Sequence, residues 1–103
     1  MKKVRFYSLM RRDGKPAAIL HEGYFDGVYY YYKNNEYLWH VIHPDNGLSI
    51  AHGHTRKEAA EKAHASDMAE KIKNAIALRG ECLKITFDRA VEETQSRIEE
   101  ITA

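Results

Sequence analysis

Residues 28–42 constrain the fold most, because they predict a β-hairpin that is apolar on both faces. Residues 28–32 are β-branched or aromatic, which favours a strand. Residues 34–35, both Asn, predict a two-residue turn that places Lys33 opposite Glu36, since Asn accepts the left-handed backbone conformation. A sheet with one face in water alternates apolar and polar residues, and this hairpin does not. We therefore expect each of its faces to be covered.

The predicted register sorts the aromatic residues onto two faces. The first face is expected to form the core beneath a helix, and it carries Val28, Tyr30, Tyr32, Tyr37, Trp39 and Val41. The second face carries Tyr29, Tyr31, Leu38, His40 and Ile42. The sequence leaves three alternatives for what covers this second face: the C-terminal helix, a second subunit, or a protein or nucleotide ligand. The predicted binding surface comprises Tyr29, Tyr31, Leu38, His40, Tyr24 and Phe25.

The pattern along the chain changes at Thr55 from strands to helices. Before it, apolar alternation and turns such as residues 12–14 and 44–47 predict an antiparallel meander of four or five strands. Residues 55–58, Thr-Arg-Lys-Glu, have the form of a capping box, so a helix should begin there. We predict a long helix that ends at Gly80, because glycine favours the conformation that closes helices.

The last segment admits two interpretations. In one, residues 82–85 form a short strand and Thr86 caps a final amphipathic helix. In the other, Leu83 extends the apolar stripe by a turn and the helix begins directly after Gly80. We predict the strand, and with it a single α+β domain over residues 1–103.

Size, charge and cysteine content exclude several classes of protein. A chain of 103 residues holds one domain. Sixteen basic residues nearly balance fifteen acidic ones, so net charge favours neither nucleic acid nor membrane. The single cysteine, Cys82, cannot form an internal disulfide, and no apolar stretch predicts a membrane span or a secretory signal. We therefore expect a cytoplasmic protein.

No residue pattern predicts catalysis. The four histidines at positions 40, 43, 52 and 54 suggest a zinc site, but the predicted register sends His40 and His43 to opposite faces, so we predict no metal. The chain has no glycine-rich phosphate loop and no GxSxG motif. We predict neither an enzyme nor a cofactor.

Charge is distributed unevenly along the chain. Residues 1–15 contain six basic residues and one acidic residue, whereas residues 81–103 contain six acidic residues and three basic ones. This polarity would serve phosphate binding at the first hairpin, through Arg5, Arg11 and Arg12, or pairing of one subunit's hairpin with another's helix.

Residues 39–63 carry a Pro-Asp turn followed by a Gly-x-Thr-x-x-Glu-Ala helix start. The residues concerned are Pro44, Asp45, Gly47, Gly53, Thr55, Glu58 and Ala59. The segment resembles the hairpin-to-helix part of HicB-like antitoxins, and similar helix starts occur in small phage-encoded proteins. The resemblance implies a partial RNase H-like sheet that lacks catalytic residues and acts by binding a partner protein.

These observations predict a small non-catalytic binding protein that acts through protein–protein contacts, as a homodimer or higher oligomer. The second face of the hairpin and the C-terminal helix are the expected contact surfaces. An inhibitor of a host or defence protein, of the phage type, is one concrete version. The alternative is a nucleotide or nucleic-acid binding module, including one that sequesters a small nucleotide, which would combine tyrosine stacking with arginine–phosphate contacts.

Overall fold

A computed structural model describes residues 1–34 and 37–102 of the chain, without the side chains of residues 66, 79, 81–82 and 97–102. It contains an antiparallel five-stranded sheet in the order β1-β2-β3-β4-β5, so the predicted α+β meander is confirmed. The strands are β1 (Lys2–Arg12), β2 (Lys15–Phe25), β3 (Tyr30–Lys33), β4 (Trp39–Ile42) and β5 (Ser49–Gly53). The helices are α1 (Arg56–Ala63) and α2 (Ser66–Thr102).

The β1–β2 hairpin follows from its turn. Asp13 and Gly14 both have positive φ, 52° and 77°, as a two-residue hairpin turn requires. Arg12 therefore pairs with Lys15, and the two strands stay in register to their far ends. Pro16 lies on β2 opposite Arg11, a position where the missing amide proton costs no ladder hydrogen bond.

The junction between β2 and β3 depends on Gly23. The two strands pair at two positions, Tyr24 with Tyr31 and Phe25 with Tyr30. Beside them, the Tyr31 carbonyl oxygen approaches Gly23 so closely that an added Cβ would overlap it. The absence of a side chain at Gly23 therefore allows β2 to approach β3 closely at this point.

The predicted register of β3 and β4 is wrong by three residues. Lys33 pairs with Trp39, and Tyr31 pairs with Val41. Asn34 explains the difference: its amide donates to the Leu38 carbonyl over 2.9 Å, and its side-chain oxygen accepts from the Leu38 amide over 3.0 Å. These two bonds connect residues 34 and 38, which are farther apart in the chain than the ends of the predicted turn. Glu36, which was predicted to lie opposite Lys33, is outside the described residues.

A register error of an odd number of residues exchanges the two faces of one strand relative to the other. Trp39 and Val41 lie on the helix side, as predicted. Tyr31 joins them there and is fully buried, while Tyr30 and Tyr32 lie on the opposite face. The prediction was therefore right for β4 and reversed for β3.

The start of α1 follows the predicted capping chemistry in part. The Glu58 amide donates to the Thr55 hydroxyl over 3.0 Å, as in a capping box. The Glu58 carboxylate accepts from the His54 amide rather than from that of Thr55. Helix α1 then stops at His64, much earlier than predicted.

Helix α2 runs through the two positions at which the sequence predicted a break. Gly80 does not end it, and residues 82–85 are helical, so the predicted short strand is wrong. Buried Phe87 and Ala90 anchor its later part, and the Thr94 hydroxyl donates to the Ala18 carbonyl on β2 over 3.1 Å. Packing of this later part against the hairpin outweighs the low helix propensity of Gly80.

The main core lies between the sheet and α1. It consists of Tyr29, Tyr31, Val41, Ala51, Ala59 and Ala63. The small alanines of α1 allow the helix to approach the sheet closely. None of the helices in the described part of the chain is both long and apolar enough to cross a lipid bilayer.

Gly23→Ala should lower the free energy of unfolding by at least about 2 kcal/mol, because the new methyl group must displace the Tyr31 backbone. Urea unfolding measures the loss, and faster amide exchange at Tyr24 and Tyr31 would locate it at the β2–β3 junction. Gly27→Ala is the control: it meets no atom within 4 Å and costs about 1 kcal/mol through its φ of 97°. Equal losses in the two variants would contradict this account.

Candidate functional site

The six residues predicted to form a binding surface do not share one. Tyr29 is 8% exposed and Tyr31 is 0% exposed, so the prediction that they make external contacts is wrong. The physical reason is the register of β3, which turns Tyr31 towards α1. The other four are half-buried and divided between two sides of the sheet: Tyr24, Phe25, Leu38 and His40.

Asp26, in the loop between β2 and β3, is the centre of the densest polar cluster in the described residues. One carboxylate oxygen accepts the amides of Val28 and Tyr29 over 2.8 and 2.7 Å. The other accepts the Tyr31 hydroxyl over 2.5 Å and contacts Nε2 of His64 over 2.7 Å. The cluster joins the loop, β3 and the C-terminal cap of α1.

The electrostatics of this cluster favour a structural role. Burial alone would raise the pKa of Asp26, but hydrogen bonds from the Tyr29 amide, the Tyr31 hydroxyl, His64 and the Val28 amide outweigh it and lower the pKa to about 2. Burial, followed by the hydrogen bond to Asp26, raises the pKa of Tyr31 well above its usual range. Asp26 therefore stays ionised and Tyr31 stays protonated, which leaves neither group suited to exchanging protons with a substrate.

Sequence reasoning missed this cluster. The Asx-turn pattern of Asp26, two residues before Val28, could have predicted the first amide bond. His64 is 38 residues from Asp26 and follows a helix that was predicted to continue, so no local pattern connects them.

The face of the sheet opposite α1 carries a row of rings, one from each strand: Phe6, His21, Tyr32, His40 and His52, here called the ring row. His21 stacks on Tyr32 with centroids 3.9 Å apart, and His40 stacks on it 5.2 Å away. Phe6 also stacks on Tyr30, with the planes 3° apart. Neighbouring rings therefore occupy the faces that nucleotide bases would need.

Two imidazoles of the ring row, those of His21 and His40, have hydrogen-bond partners within the chain. His21 Nε2 lies 2.7 Å from the Ser8 hydroxyl, and His40 Nε2 lies 2.9 Å from the Asn34 side-chain amide. Burial, and then the nearby His40, lowers the pKa of His21, which favours its neutral form. Within residues 1–34 and 37–102, no group of three or more His, Cys, Asp or Glu residues is arranged to hold a metal ion.

The three arginines predicted to contact phosphate are spread along the hairpin. Arg5 pairs with Glu22 on the neighbouring strand, with 3.2 Å between nitrogen and oxygen. Arg11 and Arg12 are exposed beside the turn, and as successive strand residues they point to opposite faces. The structure does not bring these three side chains to one site.

Asp26→Asn should destabilise the protein in a pH-dependent way. The folded pKa of about 2 lies below the unfolded value of 3.8, so the ionised carboxylate contributes stability above about pH 4 and loses it as the pH falls towards 2. We expect the variant to lose about 2 kcal/mol at neutral pH, and this difference should shrink on acidification. Urea unfolding at a series of pH values measures it.

The control for this experiment is Asp88→Asn, on the exposed side of α2, which should change stability by less than about 0.5 kcal/mol. A difference between wild type and Asp26→Asn that stays constant from neutral pH to pH 2 would contradict the proposed role of the carboxylate.

Comparison of the chain with protein-family models, with curated proteins and with solved structures finds no match. The resemblance of residues 39–63 to HicB-like antitoxins stays a prediction.

Proposed function

We propose that this chain is a non-catalytic binding protein of the cytoplasm that acts through protein–protein contacts and pairs with a second copy through α2. The saturation of Asp26 supports a non-catalytic role, because four donors already occupy its oxygens. An inhibitor of a host or defence protein, as small phage-encoded proteins suggest, is one form that this activity could take.

The observation that carries the proposal is the exposure of apolar side chains on the outer side of α2. Leu78 is 85% exposed and Ile85 is 47% exposed. They are seven residues apart and therefore share one side of the helix. Leu78 and the buried Phe87 are nine residues apart, which places them on opposite sides at about 100° per residue. Phe87 is thus buried on one side of α2, while Leu78 and Ile85 are exposed on the other.

A second copy of this chain fits the outer side of α2. If the two copies of α2 pack antiparallel, with the two-fold axis midway between residues 78 and 85, each Leu78 lies beside the other copy's Ile85. Helix α2 has 37 residues, so its outer side can supply much of the roughly 800 Å² per partner that stable interfaces bury. Burial of the four apolar side chains contributes roughly 1–2 kcal/mol each, so we expect a dimer that dissociates on dilution.

The nucleotide-binding alternative stays a prediction without a supporting contact. Both Tyr32 and Tyr30 stack on rings of the same chain, so a base would have to separate these rings before it could bind.

Leu78→Asn should raise the dissociation constant of the dimer about tenfold or more, because it removes two of the four apolar side chains from the interface. Sedimentation equilibrium over a wide range of protein concentration measures the constant. Leu20→Asn is the matched control, since Leu20 is 44% exposed on β2, away from α2's outer side.

A monomer at every concentration tested would overturn the proposal that α2 pairs with a second copy. Equal effects of Leu78→Asn and Leu20→Asn would also overturn it, because they would place the interface elsewhere.

A further inference from the structure

We propose that the outer edge of β1, between Lys3 and Tyr7, binds an extended acidic segment of a partner protein as an additional β-strand. This site is separate from α2, and the inference does not rest on dimerisation.

The turn of the first hairpin determines which backbone groups of β1 are free. In a hairpin with a two-residue turn, the flanking pair, here Arg12 and Lys15, exchanges hydrogen bonds. Even-numbered residues of β1 therefore bond to β2, and odd-numbered residues direct their amides and carbonyls outward. One contact confirms this assignment independently: the Leu9 amide donates across the outer edge to the Gly47 carbonyl over 2.8 Å.

The bond at Leu9 also limits the open part of the edge. At Leu9 the turn before β5 occupies the outer edge of β1. The edge is therefore open only between the N-terminus and Leu9. Within residues 1–34 and 37–102, the outward backbone groups of Lys3, Arg5 and Tyr7 have no backbone partner. From Lys3 to Tyr7 the edge spans about 14 Å, which matches an added strand of about five residues.

The charge of this segment selects an acidic occupant. Lys2, Lys3 and Arg5 are exposed, and the alternation of the strand places Lys2 on one face and Lys3 with Arg5 on the other. An added strand would therefore have basic side chains on both of its sides. A shallow cavity of about 270 Å³ beside the segment is lined by Lys3, Val4, Arg5 and Glu22, and it offers space for one side chain. The Arg5–Glu22 ion pair holds the guanidinium beside this cavity.

The same charges disfavour a second copy of β1 as the occupant. The open segment is centred on Arg5, so two-fold antiparallel pairing would set Arg5 opposite Arg5 and each Lys3 opposite the other copy's Tyr7. Like charges directly opposite each other destabilise strand pairs, and basic residues on edge strands commonly prevent such self-association. Strand addition by an acidic segment satisfies the backbone groups and the charges together.

The test uses a capped seven-residue peptide in which Glu alternates with Val and Thr, and a copy with Gln in place of Glu. We expect the acidic peptide to bind and the Gln peptide to bind at least about tenfold more weakly. Amide exchange followed by NMR should slow at Lys3, Arg5 and Tyr7 on binding. The amides of Val4 and Phe6, which already bond to β2, should stay unchanged and report that the hairpin is intact.

Lys2→Gln/Lys3→Gln should weaken binding of the acidic peptide about tenfold. Arg11→Gln/Arg12→Gln removes the same charge from the same strand beyond the bond at Leu9, and it should weaken binding less than about twofold. Both pairs of residues are exposed, so both variants should fold.

Several results would overturn the proposal. These are no binding at about millimolar peptide, equal binding of the two peptides, equal losses in the two variants, or binding without slower exchange at Lys3, Arg5 and Tyr7. Slower exchange at these amides with rising protein concentration alone would assign the edge to a second copy instead of an acidic segment.

Discussion

The Asp26 carboxylate holds together three parts of the chain that are distant in sequence. It fixes the loop before β3 through two amides, receives the hydroxyl of Tyr31 from β3, and receives His64 from the end of α1. Tyr31 must face α1 to reach it, and this orientation sends Tyr30 and Tyr32 to the other side of the sheet. The cluster thus sets which aromatic rings enter the core and which form the ring row.

Because of this arrangement, we place the proposed binding surfaces elsewhere than on the tyrosines. Tyr29 and Tyr31 are buried under α1, and the rings of the opposite face stack on one another. The two surfaces proposed for binding lie at the periphery, on the outer side of α2 and along the edge of β1. We propose that another polypeptide covers each of them, one through apolar side chains and the other through backbone groups and charge.

The parts of the fold that could be predicted from sequence are those with local causes. The turn at Asp13 and Gly14 and the cap at Thr55 follow from chemistry within four residues, and both are present. Loop closure by the Asn34 side chain depends on a contact with Leu38, which a turn-type rule does not contain. The continuation of α2 through Gly80 depends on packing of Phe87 and Ala90, which no local propensity includes.

The candidate surfaces likewise combine features that the sequence predicted with features that depend on contacts between distant residues. The basic character of the first hairpin was visible in the composition, and the C-terminal helix was expected to make contacts. The alternation of outward backbone groups along β1 follows from its turn, but the point at which the open edge ends could not be predicted, because it depends on the approach of Gly47 to Leu9 from another part of the chain. The Asp26 cluster was equally hidden, since His64 reaches Asp26 only when α1 ends where it does.

The most direct test of the account compares Tyr31→Phe with Tyr30→Phe by urea unfolding at neutral pH. Tyr31→Phe removes one donor from a carboxylate that is 14% exposed, so it should cost about 1.5–3 kcal/mol. Tyr30→Phe keeps the ring that stacks on Phe6 and should change stability by less than about 0.5 kcal/mol. A neutral Tyr31→Phe, or a larger loss in Tyr30→Phe, would show that β3 faces the other way.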